Sequence, residues 1–289
     1  MKKLSADKRA QVLHMLVEGN SLRATARMAD IALNTVTKLF IDTGLACSDY
    51  QHRVLRNLPC KRLQLDEVWS FVYAKAKNVP TARSAPPSAG DVWTWVAIDA
   101  DTKLVPSWRI GDRSTETAHA FVSDLASRLS NRVQITTDGH RPYLEAIESA
   151  FGADADYAML VKVYGPSPEA EKRYSPPECI GCETNVIEGN PDPKHISTSF
   201  AERQNLTMRM SMRRFTRLTN AFSKKIENHA LSVALHYMHY NFARIHKTLR
   251  VTPAMAAGVT NRVWDVKDIV AMLEAWERKQ EYKRFASGN

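Results

Sequence analysis

The spacing of apolar residues changes character partway along this chain. Between Ala6 and Val17, Ala10, Leu13, Met15, Leu16 and Val17 fall near one helical stripe, which Gly19-Asn20 then stops. Ser21 is placed to cap a short second helix over Leu22 to Met28. Asn34 is placed to cap a third, carrying Thr35, Val36, Thr37, Lys38, Leu39 and Phe40. Only Ala29-Asp30-Ile31-Ala32-Leu33 separates the last two, so residues 1–50 read as a small all-α unit built on a helix-turn-helix. Residues 51–61 are basic, lack a clear period and read as a linker.

From Arg62 onward β-branched and aromatic residues take over. They predict strands near Arg62 to Tyr73, Asp91 to Asp99 and Leu104 to Gly111, then a helix from Ser114 to Leu129, a strand from Arg132 to Thr137 and a helix near Arg141 to Phe151. Three hairpin-linked strands followed by alternating helix and strand give an α/β fold, a mixed sheet with helices on its faces. Ala74 to Gly90, with Pro80, Pro86 and Pro87, reads as a long hairpin excursion, and Gly165 to Pro193 as irregular. The second of these holds Cys179-Ile-Gly-Cys182, which reads as reduced thiols in a loop because no second pair completes a zinc site. Trp69, Trp93, Trp95 and Trp108 lie on strands and read as core.

Composition narrows the partner. The 289 residues, 44% hydrophobic, can support one sizeable core and a smaller domain. No run of 18 apolar residues is present and no apolar stretch follows Met1-Lys-Lys, so a cytosolic location without membrane contact is expected. The 40 Lys and Arg against 31 Asp and Glu give a net charge of +9, and the excess is uneven. Arg203, Arg209, Arg213, Arg214, Arg217, Lys224 and Lys225 follow one another with no acid between them, which calls for a phosphate-bearing partner. In that setting Asn34, Thr35, Thr37 and Lys38 are short polar or basic groups at a helix start, where base edges of a major groove are reached.

Three acids stand out against this background: Asp66 within a strand run, Asp138 at the end of another and just before Gly139, and Glu202 at the opening of a helix. Each has an ordinary alternative. Strand acids face solvent, Asp-Gly makes turns, and Ser199-Phe-Ala-Glu202 fits a capping box. Together they supply what a two-cation site requires, hard carboxylate oxygens able to hold Mg²⁺ or Mn²⁺. Strand alternation turns Glu67 to the face opposite Asp66, away from any shared metal. His140 could reach a phosphate or serve the turn. On a continuing helix, Asn205, Arg209 and Arg213 share the side of Glu202 and mark a DNA path.

The order Asp, Asp, Glu, with Asp138-Gly139, the Glu202-Arg-Gln-Asn205 helix and Arg209 seven positions on, resembles DDE transposases and retroviral-type integrases. The segment from Tyr237 to Ala254, with its Tyr-Asn, Arg-x-His and Thr-Pro, is similar to the end of their cores. Within that superfamily, Glu202 to Arg209 and Phe222-Ser-Lys224 are most similar to transposases of bacterial insertion sequences of the insertion-sequence-one group. One departure is the absence of cysteine before Cys47, where members of that group carry a zinc-binding module.

The resemblance implies an RNase H-like core with a mixed five-stranded sheet over residues 62–258, an irregular insertion at 165–197 and a helical tail at 259–289. It implies that Asp66, Asp138 and Glu202 are the catalytic metal ligands and that two Mg²⁺ or Mn²⁺ ions are bound. It further implies that Arg209 contacts the DNA end, that the partners are terminal inverted repeats and target DNA, and that the protein works as a dimer or higher assembly. Water would cut the element's end, and the freed 3′-hydroxyl would then attack target DNA. Two other readings use the same features: a helix-turn-helix regulator with a non-catalytic core, and a simple RNase H-like metal-dependent nuclease.

Overall fold

A computed structural model describes residues 3–165, 179–216 and 221–287, so Arg217 of the basic run lies outside the described residues. The chain forms two compact units, each assembled from separated segments. One comprises Met1–Arg56, Trp69–Trp93 and Asn205–Asn289; the other comprises Asn57–Val68 and Thr94–Gln204.

In the first unit, α1 (Ala6–Val17) starts at Ser5, whose Oγ accepts from the Lys8 amide at 3.3 Å. It buries Ala10, Val12 and Leu13. Ser21 caps α2 (Leu22–Ala29) as expected, accepting from the Ala24 amide at 3.1 Å. Asp30 then takes the left-handed conformation, φ 51°, and turns the chain into α3 (Leu33–Val54). Asn34 is not the cap: Ala32 holds that position with no side-chain bond, and Asn34 is already helical. The helix also runs through what read as the start of a linker. Its final turns are fixed by packing rather than by local period, with Gln51 donating to the Ala234 carbonyl at 3.0 Å and Leu55 fully buried just beyond.

The second unit is built on a mixed sheet of β1 (Arg62–Val72), β2 (Gly90–Asp99), β3 (Ser107–Gly111), β4 (Val133–Thr137), β5 (Ala155–Tyr164) and β6 (Cys179–Glu188). Its order is β3-β2-β1-β4-β5-β6, so the sheet has six strands where five were expected. The chain passes between the units within β1 and β2. At one end the Arg62 carbonyl accepts from Ala100, and at the other the Ser70 hydroxyl donates to the Val92 carbonyl, so β1 and β2 run in opposite directions. β1 pairs with β4, and β4 with β5, in parallel; β6 returns antiparallel to β5. β3 starts later than its apolar pattern suggested because Pro106 has no amide to give the ladder.

The extra strand, β6, lies in the stretch that read as irregular, and it carries the cysteine pair on a strand rather than a loop. All ten of its residues are exposed, so no alternation of apolar and polar positions announces it; pairing with β5 alone makes it a strand.

Helices α4 (Thr115–Ala126) and α5 (Pro142–Phe151) pack on one another and cover one face of the sheet, where Trp95 meets Phe121 and Tyr143 with ring centroids 6.0 and 5.2 Å apart. Of the four strand tryptophans, Trp95 is the one fully buried. On the other face, the start of α6 (Ser199–Ser211) docks on β1 through Gln64. The first unit is completed by α7 (Ile226–Met238), α8 (Pro253–Ala256) and α9 (Val266–Ser287). Among the described residues, no helix is long and apolar enough to cross a membrane.

Gly44 of α3 sets how closely α7 approaches. A Cβ there would lie 2.6 Å from the Leu231 Cβ and 3.0 Å from its carbonyl oxygen. Gly44→Ala should therefore destabilise the protein by about 1–3 kcal/mol in a denaturant melt. An unchanged midpoint would show that the two helices can part at no cost.

Candidate functional site

The site grows out of strand register. β1 and β4 pair as Arg62↔Gln134, Leu63↔Ile135 and Gln64↔Thr136, and then the pairing ends. Continuing the same offset by two residues sets Asp66 opposite Asp138. Both aspartates therefore lie at the carboxyl end of the paired segment, where no ladder hydrogen bonds close the gap between the strands. Each is steadied locally. Asp66 Oδ1 accepts from the Glu67 amide at 2.8 Å, and Asp138 Oδ1 accepts from the His140 amide at 3.0 Å in an Asx turn.

A third acid joins them, and it is Glu67. One ligand oxygen from each of Asp66, Glu67 and Asp138 lies within 4.8 Å of the others. This corrects the expectation that strand alternation removes Glu67 from the site. The alternation itself holds: Glu67 points to the helix-covered face, where Arg113 Nη2 sits 2.8 Å from its Oε2 and Tyr143 of α5 faces its carboxyl group. Because β4 stops at Thr137, no β4 residue pairs with β1 at Glu67, and the Glu67 carboxylate comes beside the aspartates.

Glu202 is positioned from the same strand. The Gln64 side chain, buried within β1, accepts from the amides of Phe200 at 2.7 Å and Ala201 at 3.2 Å, taking up orphan donors at the start of α6. Glu202 follows one residue later. Its Oε1 accepts from the Thr198 hydroxyl at 2.7 Å, and its Oε2 is paired with Lys162 of β5 at 2.5 Å. The carboxylate thus lies outside the tight cluster, although its charge still acts on Asp66.

Crowding acids together has an electrostatic cost. Burial, then the neighbouring charges of Glu67 and Asp138, push Asp66 up to about 7. Burial likewise pushes Glu67 up to about 7, with Tyr143 and Arg113 acting in the opposite sense. The donor set is all carboxylate oxygen, which suits a hard divalent cation, and such a cation would offset the burial and the repulsion that raise these groups. His140 serves the turn. Its ring centroid lies 5.5 Å from that of Trp95, the planes tilted by 44°, and burial followed by the Arg113 charge makes it harder to protonate.

The remaining sequence candidates are dispersed over the first unit. Asn34 and Lys38 are exposed, whereas Thr35 and Thr37 are half-buried. Lys38 is paired with Asp42 at 2.5 Å, and the Thr37 hydroxyl is turned back onto the Leu33 carbonyl. Thr35 and Lys38 line a cleft of about 420 Å³ with Trp276, Glu277 and Glu281 of α9. Asn205 is buried and Arg209 half-buried on α6, while Arg213 falls beyond that helix in a 3-10 turn, so the face that began at Glu202 does not extend to it. Arg214 lies over the Phe40 ring and donates to Ser223 Oγ at 2.6 Å, which makes it a packing residue as much as a surface charge. Sequence reasoning missed Gln64, Arg113, Tyr143 and Lys162. Only Lys162, a lone cation in an apolar strand, left a local signal.

The raised acids make a definite pH dependence. Between about pH 4 and pH 7 the folded, metal-free protein retains protons that the unfolded chain releases, so its stability falls as pH rises through that window. Asp66→Asn removes part of the repulsion and should stabilise the metal-free protein by about 1–3 kcal/mol at pH 8, with little effect at pH 4. Thermal melts with a chelator across this range test it; a wild-type melting temperature independent of pH would show that the acids are not crowded in solution.

No family model matches the chain, and no curated protein matches it. Among solved structures it matches the cryo-EM structure of the piggyBac transposase synaptic complex with hairpin DNA at a TM-score of 0.42 and 11% identity, over 100% of this chain and 77% of that one. It also matches the Mos1 transposase paired-end complex with left transposon end at a TM-score of 0.22 and 13% identity, over 52% of this chain and 58% of that one. A pre-cleavage Mos1 transpososome matches at 0.22 and 10% identity, over 82% and 79%.

Proposed function

We propose that this protein is a transposase that binds the ends of an insertion element and catalyses metal-dependent DNA cleavage and strand transfer. The observation that carries this reading is the β1/β4 register, which brings Asp66 and Asp138 to matching positions at the open ends of two parallel strands. The tether from Gln64 to the first turn of α6 supports it further, because it holds Glu202 near the same strand. A DNA-binding regulator has no use for such an arrangement, which raises the proton affinity of its own acids without any return in binding.

In this reading Asp66, Asp138 and Glu202 would hold two Mg²⁺ or Mn²⁺ ions, which would activate the attacking hydroxyl and stabilise the departing oxygen of a phosphodiester. Lys162 holds Glu202 by charge, and Gln64 and Thr198 fix the helix turn from which it projects. Asn34 and Lys38, exposed at the start of α3, would approach the inverted repeat; Lys38 would have to exchange Asp42 for DNA. Arg209, two helical turns beyond Glu202 on α6, would contact the phosphates of the DNA end. Holding two ends at once would require a dimer or higher assembly on DNA.

Single substitutions Asp66→Ala, Asp138→Ala and Glu202→Ala should each lower cleavage and joining of an end-bearing duplex by at least about a thousand-fold, without additivity, while leaving end binding nearly intact. Turnover within a few-fold of wild type would remove that residue from the site. Asn34→Ala and Lys38→Ala should instead weaken binding to the element's end by about 1–3 kcal/mol each and hardly change Mn²⁺-dependent cutting of random DNA. Equal losses on specific and random duplexes would assign both residues to general phosphate contact.

A further inference from the structure

We propose that a cleft of the first unit, between the start of α2 and α7, seats a segment of DNA backbone, with Arg23, Arg213, Arg214 and Lys224 on its phosphates. This rests on the nucleic-acid reading above and goes beyond it, because it assigns a phosphate-binding cavity apart from the start of α3 and from Arg209.

Three observations carry it. First, three separate segments bring positive charge to one cavity of about 710 Å³: Arg23 from α2, Arg213 and Arg214 from the turn after α6, and Lys224 from just before α7. No Asp or Glu is among the described residues that line it, and Arg23, Arg213 and Lys224 are exposed. That volume exceeds one phosphate and falls in the range, roughly 300–1,000 Å³, that holds a ligand of several groups. Second, among the described residues none of these four cations is in an ion pair. The cleft at the start of α3 differs on this point, since there Lys3 and Arg9 pair with Glu277, and Lys38 with Asp42. Uncompensated charges around one cavity repel each other and attract a polyanion. Third, Arg214 is held by a buried relay that leaves its charge intact. It donates to Ser223 Oγ at 2.6 Å, so the Ser223 proton goes to His229 Nδ1 at 3.1 Å; His229 Nε2 then donates to Ser70 Oγ at 3.1 Å, and Ser70 to the Val92 carbonyl at 3.2 Å. Burial, then the Arg214 charge, pushes His229 down to about 3, so the imidazole is neutral and the relay carries no negative charge. Burial lowers Arg214 itself to about 10, the mark of a guanidinium kept from water without a carboxylate beside it. A phosphate in the cleft supplies the missing counter-charge.

The test measures binding of the full chain to a random-sequence duplex of about 30 base pairs, by fluorescence anisotropy at roughly 50–200 mM salt. Arg213→Gln and Lys224→Gln should each reduce the slope of log affinity against log salt by about one, whereas Lys279→Gln, an exposed cation of α9 outside the cleft, should leave it unchanged. Asn228→Trp is a second arm: Asn228 lines the cleft, so the larger side chain fills it without altering its charge and should weaken binding by about ten-fold. A wild-type slope in Arg213→Gln and Lys224→Gln, an equal loss of slope in Lys279→Gln, or wild-type affinity in folded Asn228→Trp would each overturn the assignment. Inorganic phosphate that raises the melting temperature of wild type but not of Arg213→Gln, with duplex binding alike in the two, would overturn DNA as the occupant. If Asn228→Trp does not fold, the exposed Arg213 and Lys224 arms still decide it. Wild-type protein that binds no duplex would instead defeat the nucleic-acid reading itself.

Discussion

Two parallel strands that pair for three residues and then part determine where the acids of this protein lie. If β1 and β4 stayed hydrogen-bonded past Gln64 and Thr136, the ladder would close the gap into which Asp66 and Asp138 open. Because the pairing stops, the carboxyl ends of the strands form a cleft with an acid on each side. A one-residue slip in register would turn Asp138 away from Asp66, so the site depends on the apolar residues that lock the pair, Leu63, Leu65, Val133 and Ile135, all buried.

The same cleft accounts for the distribution of charge around it. Cationic groups stand at its margins rather than its centre: Arg113 on one oxygen of Glu67, and Lys162 on one oxygen of Glu202. Asp66, Glu67 and Asp138 stand close enough to repel one another. A fold selected for stability alone would neutralise or replace such a group of carboxylates. Retaining them close together is the pattern expected where a bound cation is part of the working state.

The first unit follows a simpler logic. Ser5 and Ser21 cap the first two of its three N-terminal helices, and the third, α3, packs against α2, α7 and α9, so its start stands on a well-fixed base. Its polar residues are less free than their spacing suggests. Lys38 is held by Asp42, and the cleft it shares with Thr35 is walled by glutamates of α9. A nucleic acid reaching this surface would have to compete with those acids, which favours partners that bring several phosphates at once.

The sequence by itself determined those features whose signal lies within one element. The stripe of α1, the serine caps, the strand runs beginning at Arg62 and Asp91, and the unbroken basic run after Glu202 are of this kind. It also supplied the chemical identity of the acids, since their residue types and order are visible without a fold. Tertiary structure alone decided the rest. β6 has ten exposed residues and exists only through its pairing with β5, so no periodicity recorded it. The last turns of α3 are helical because Gln51 and Leu55 are buried, not because their neighbours repeat. Glu67 enters the acid cluster, although alternation points it elsewhere, because β4 ends at Thr137 and no longer pairs with β1 there. Periodicity reports which side of an element is buried; it carries no record of where a neighbouring strand stops, and here that stopping point decides which carboxylates meet.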